Sequence, residues 1–146
     1  MGTANKVVVR YLDGRLIKGT TRDFLPGKPM FHVHTDDSAE AVQVSLADLK
    51  AVFFVKRLEG DPDYTENKYL PEQPVASLGK KIAVVFTDGE ILAGYTHSYS
   101  ASHPGFFVTP VDPGSNNIRV FVVKQSVCDV KLGSQAESLV KASRAR

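Results

Sequence analysis

Lys6-Val-Val-Val-Arg-Tyr-Leu-Asp-Gly-Arg-Leu-Ile-Lys-Gly-Thr-Thr21 is answered, 75 residues on and without a gap, by Lys81-Ile-Ala-Val-Val-Phe-Thr-Asp-Gly-Glu-Ile-Leu-Ala-Gly-Tyr-Thr96. Lys6, Val9, Asp13, Gly14, Gly19 and Thr21 recur as Lys81, Val84, Asp88, Gly89, Gly94 and Thr96, and Tyr11 is exchanged for Phe86. Val7, Val9 and Tyr11 alternate at the two-residue period of a half-buried strand. Asp13-Gly14 and Asp88-Gly89 are two-residue hairpin turns, because glycine takes positive φ at no steric cost. Gly19 and Gly94 fall inside the returning strands, where a glycine marks a sharp bend. Each stretch is therefore a bent hairpin.

The same spacing carries Pro29, Phe31 and Val33 onto Pro104, Phe106 and Val108, and Val52, Val55 and Lys56 onto Val127, Val130 and Lys131. This predicts third strands at Met30–His34 and Gly105–Thr109. It predicts fourth strands near Ala41–Ser45 and Ile118–Val122, and fifth strands near Val52–Arg57 and Val127–Leu132. Ser45-Leu46-Ala47-Asp48-Leu49 reads as one helical turn before the fifth strand. Five short strands with bent edges and no long helix describe a small barrel. The chain is thus all-β, with two tandem five-stranded barrels at residues 6–60 and 81–133. The segment 61–80, with Pro62, Pro71 and Pro74, is a linker that reads as a strap over one unit. The tail 134–146 is basic and has the pattern of a short helix, with Ala136, Leu139 and Val140 on one side; alone it would be marginal.

Charge narrows the function. The net charge is +2, and Lys141, Arg144 and Arg146 against Glu137 supply all of it, so the rest of the chain is balanced. A duplex-binding protein carries a strong basic field; here only a local patch is available, at Arg10, Arg15, Lys18 and Arg22 on the first hairpin. One cysteine, Cys128, forbids an internal disulfide and fits a reducing, cytoplasmic setting. Apolar runs such as Ala51–Val55 are strand-sized, far short of a membrane helix.

No nucleophile elbow, phosphate loop or dinucleotide fingerprint is present, so no enzyme is expected and no catalytic residue is assigned. His32 and His34 lie two apart on one strand without a third ligand at metal spacing, so no metal or other cofactor is expected. The loop Asp112-Pro-Gly-Ser-Asn-Asn117, followed by Arg119, is the most unusual polar segment. Asp112, Ser115, Asn116, Asn117 and Arg119 are candidates for contacting a ligand or partner. Tyr95, His97 and Tyr99, read as alternating on one side of a strand, are a second candidate set.

The five-strand pattern resembles the Sm-like (SH3-type small barrel) fold. Arg119-Val-Phe-Val-Val-Lys-Gln-Ser-Val-Cys-Asp-Val-Lys131 is similar to the second Sm motif, and Lys6–Thr35 and Lys81–Pro110 are similar to degenerate first motifs. Lys124-Gln125 stands where that motif carries Arg-Gly. The second half, through Pro104-Gly-Phe-Phe, Asp112-Pro113 and Ser115-Asn-Asn, also resembles an uncharacterised bacterial protein family. The second likeness implies a bacterial source, and the chain is expected to be a non-enzymatic binding or scaffolding module of a bacterial regulatory system. Its partner would be a protein or a second copy, with nucleic acid the alternative and no membrane.

Overall fold

The computed structural model describes residues 4–36, 39–60, 70, 78–97 and 99–144. Ten strands and one helix follow the expected order: β1 (Asn5–Tyr11), β2 (Leu16–Thr21), β3 (Met30–Val33), β4 (Val42–Ser45), β5 (Leu49–Val55), β6 (Lys80–Phe86), β7 (Ile91–Thr96), β8 (Gly105–Pro110), β9 (Asn117–Val123), β10 (Val127–Leu132) and α1 (Ser134–Arg144). A 3-10 turn at Leu46–Asp48 links β4 to β5, and one at Lys124–Ser126 links β9 to β10. Of the expected linker, Lys80 already belongs to β6. The strap reading of 61–69 and 71–77 lies outside the described residues.

Both hairpins form as expected, with Gly14 and Gly89 at φ 93°. The bends at Gly19 and Gly94 come from a close approach of backbone. A Cβ on Gly19 would lie 2.2 Å from the His34 carbonyl oxygen, and one on Gly94 would lie 2.1 Å from that of Thr109. Only glycine lets the second strand of each half cross the third so tightly.

The two halves pair their strands alike, but the 75-residue spacing does not run to the end. Met30 pairs with Ser45 and Gly105 with Val123; Tyr11 pairs with Leu49 and Phe86 with Val127. From the fourth strand onward the spacing is 78. The counterpart of Val52 is therefore Val130, not Val127, since Val52 faces Val9 and Val130 faces Val84. The three extra residues lie in the β8–β9 connection, which holds Asp112–Asn116. A bulge in each fifth strand, at Lys50 and Cys128, keeps the same place.

The halves are joined edge to edge. The strand order β10-β6-β7-β8-β9-β5-β1-β2 runs through both, with β5 of the first half bonded to β9 of the second. A pair β3-β4 completes the first half, bridged to β2 by reciprocal bonds between Thr20 and His34. At the joint, alternate side chains feed different cores. Val52, Phe54, Phe121 and Val123 pack with Val7, Val9 and Phe31, whereas Ala51, Val120 and Val122 pack with Ile82, Val84 and Phe106. Strands buried on both faces lose polar alternation, which explains the runs Ala51–Val55 and Val120–Val123.

Candidate functional site

Two loops and two 3-10 turns, one of each from each half, enclose a cleft of roughly 680 Å³. Its walls are Pro26–Pro29 and Ser45–Ala47 on one side and Pro104, Val123–Gln125 and Val127 on the other. The walls are pinned alike: Leu46 N–H donates to the Pro29 carbonyl and Lys124 N–H to that of Pro104, each at 2.9 Å. Gln125 crosses between the halves and its amide donates to the carbonyls of Leu46, Ala47 and Leu49. Ser126 is fully buried, and its hydroxyl donates to Lys50 O at 2.8 Å. The size is in the range of small-molecule sites, and the lining is mostly apolar, as such sites are. Sequence reading matched Pro29 to Pro104 and marked the helical turn at Ser45–Leu49 separately; no local signal tells that the two halves bring them together.

Lys50 fixes the far side of the joint. Its ammonium is 2.7 Å from Asp88 and 2.6 Å from Glu90, and it lies over the Phe86 ring. Burial pushes the Lys50 pKa down, but the bonds from both carboxylates outweigh it and raise the value above that of an ordinary lysine. The same contact, with the Glu90 N–H, holds Asp88 below the usual carboxylate range.

The loop Asp112–Asn117 faces the first half. Asn116 accepts from Arg57 N–H at 3.0 Å and donates to Arg57 O at 2.9 Å, while its carbonyl accepts from Lys56 N–H. The Lys56 ammonium donates to Pro113 O. Asp112 and Ser115 bond to N–H groups of their own loop, at Gly114 and Asn117. Of the polar side chains that suggested a ligand loop, the Asn116 amide thus clamps one half to the other. Arg119 is exposed, and its guanidinium lies 4.5 Å and 4.4 Å from the ring centres of Phe54 and Phe107, roofing a cluster that also contains Phe24, Phe31 and Phe121. No carboxylate pairs with it among the described residues.

Tyr95, His97 and Tyr99 do not share a face, because β7 ends at Thr96. Tyr95 is buried, which raises its pKa. Tyr99 meets Phe106 edge-on at 5.0 Å in the second core, and His97 is exposed. His32 pairs with Asp23 at 2.7 Å, while His34 bridges to Thr20. Burial pushes Asp23 up, but bonds from His32 and Thr21 bring its pKa below the usual range. No group of three or more His, Cys, Asp or Glu stands at metal distance among the described residues. Cys128 is exposed on β10.

The outward faces of the two first hairpins differ. In the second half, Ala83 and Ala93 lie under Ala136, Leu139 and Val140 of α1, together with Leu70, and Lys81 pairs with Glu137. In the first half the matching positions on β1 and β2 are Lys6, Val8, Arg10, Leu16, Lys18 and Thr20, and no described helix covers them. Arg10 and Lys18 therefore share an outward face with Lys6, which sequence reading left out, and Asp13 and Asp88 line the small pocket beside Arg10. Arg22 is exposed just past β2, and Arg15 turns back to Asp13 at 2.7 Å.

Fold and cleft define an all-β protein with one short helix, built as two joined five-stranded halves. The chain belongs to DUF6982, a family of unknown function whose model matches residues 3–133. Comparison with curated proteins and with solved structures gave no match. No helix among the described residues is long and apolar enough to cross a membrane.

Proposed function

We propose that the protein is a non-enzymatic binding module: two Sm-like, SH3-type small barrels fused edge to edge, presenting the cleft between their 3-10 turns to a ligand. The observation that carries this is the cleft itself, apolar and with walls drawn from both halves. Its lining has no His, Cys, Asp or Glu, so it offers a place to bind and no acid–base pair. A bacterial, cytoplasmic regulatory setting fits the exposed free thiol and the likeness to bacterial sequences. Self-association through strand edges is the weaker partner reading, since the outer edge of β10 carries Asp129 and Lys131. An NMR screen with a small fragment library tests the proposal. Hits should shift the amides of Ala47, Gln125 and Val127 together; hits scattered elsewhere, with these amides unmoved, would reject it.

A second reading, nucleic-acid binding, is supported by Lys6, Arg10 and Lys18, which share one outward face of the first hairpin. Lys6 and Arg10 stand about 13 Å apart on β1, and Lys18 lies opposite Val8 between them, so the three cations form one row that a chain of phosphates could follow. Fluorescence polarisation with short single-stranded RNA and DNA, at about 50 and about 200 mM salt, should show binding that weakens with salt and disappears in an Arg10→Ala, Lys18→Ala variant. Absence of binding at the lower salt rejects this reading and leaves the cleft.

A further inference from the structure

We infer that the cleft takes a flat aromatic ligand carrying one anionic group, a carboxylate, sulfonate or phosphate. The inference rests on the proposal that the cleft is the binding site. Pro26, Pro29 and Pro104 line it beside Leu46, Val123 and Val127. Proline has no N–H, so these walls offer flat apolar surface and few donors. Three carbonyls of the first wall are already engaged, because Leu46 N–H donates to that of Pro29 and Gln125 donates to those of Leu46 and Ala47. The charged residues of the lining are Lys28 and Lys124, with no carboxylate among them. The Lys124 ammonium donates to the Ala101 carbonyl, and Lys28 has no ion pair among the described residues. Lys28 beside an apolar lining without a carboxylate, with Lys124 at the rim held to Ala101, selects a ring bearing negative charge.

The test uses the full chain and the fluorescent probe 1-anilinonaphthalene-8-sulfonate. A saturable, one-site rise in emission is expected. It should be reversed by 2-naphthoate but not by the neutral 2-naphthalenemethanol at equal concentration. Lys28→Gln with Lys124→Gln should weaken the probe by about five- to tenfold, the effect of two solvent-exposed charges. Ala47→Trp, at an exposed position on the wall, should fill the cleft and abolish binding. Equal competition by the neutral and anionic naphthalenes, or an unchanged affinity in the lysine variant, overturns the anion while leaving the cleft as the site. Binding that survives Ala47→Trp, or no saturable binding, overturns the cleft and this inference together.

Discussion

β5 and β9 meet in the middle of the sheet, while the strands that match them in the opposite halves, β10 and β4, have no partner on their outer edges among the described residues. The backbone offers the same donors and acceptors in both places. The side chains differ. The joint brings Ala51, Val52, Phe53 and Phe54 against Val122, Phe121, Val120 and Arg119. The same positions on the outer strands are Asp129, Val130, Lys131 and Leu132 on β10, and Val44, Gln43 and Val42 on β4. Asp129 also folds back to accept the Val130 N–H at 2.9 Å, occupying a group that a new strand would need. Charges placed on an edge in this way keep sheets from extending. Two halves share one pairing rule, but the joint is apolar on both faces and the outer edges of β10 and β4 are not.

The largest effect that would break this contrast is Phe121→Ala. Phe121 is fully buried and spans the joint into the first core, so the variant should lose about 3–5 kcal/mol. Gln43→Ala, at the matching exposed position, should stay within about 0.5 kcal/mol. Urea denaturation of the pair measures the difference, and equal losses would deny that the joint is special. A change of assembly comes next. Gln43→Phe with Asp129→Ala and Lys131→Phe gives the outer edges the joint's character, and light scattering should show mass rising with concentration while the parent stays monomeric. Asn116→Ala removes the two bonds to Arg57 and should cost about 1–3 kcal/mol without a change in helix content.

The smallest effect sharpens the electrostatics of the joint. The depressed Asp88 contributes stability that is present above the ordinary carboxylate range and lost as pH falls through its lower folded value. The raised Lys50 contributes stability that is full below the ordinary lysine range and lost as pH rises through its higher folded value. Lys50→Met should therefore flatten both limbs of the stability–pH curve by well under about 2 kcal/mol, because Asp88 and Glu90 are half exposed. Thermal unfolding from pH 3 to 11 checks it; limbs as steep as the parent's would mean that the clamp contributes nothing.

The hairpins were legible because their signals are local: an Asp-Gly pair and a glycine five residues on. The late change in spacing was not, since valines recur so densely that Val52 matches Val127 by sequence as well as it matches Val130 by position. The bonding of the polar loop was hidden for a related reason. Asn116 reads as a free amide until Arg57, far away in sequence, is placed beside it. Arg119 stood out in the sequence as a charged residue after the loop, but its seat between Phe54 and Phe107 did not.

By itself, then, the sequence determined the strands, the turns, the bends and the division into two similar halves, because each depends on backbone preference and side-chain period within a few residues. Tertiary structure alone decided that β5 pairs with β9, that α1 covers one outward face and leaves the other basic, and that two proline loops form one cleft. Those outcomes depend on which apolar surfaces remain exposed once each half has folded, and burying them against each other is a property of the whole chain.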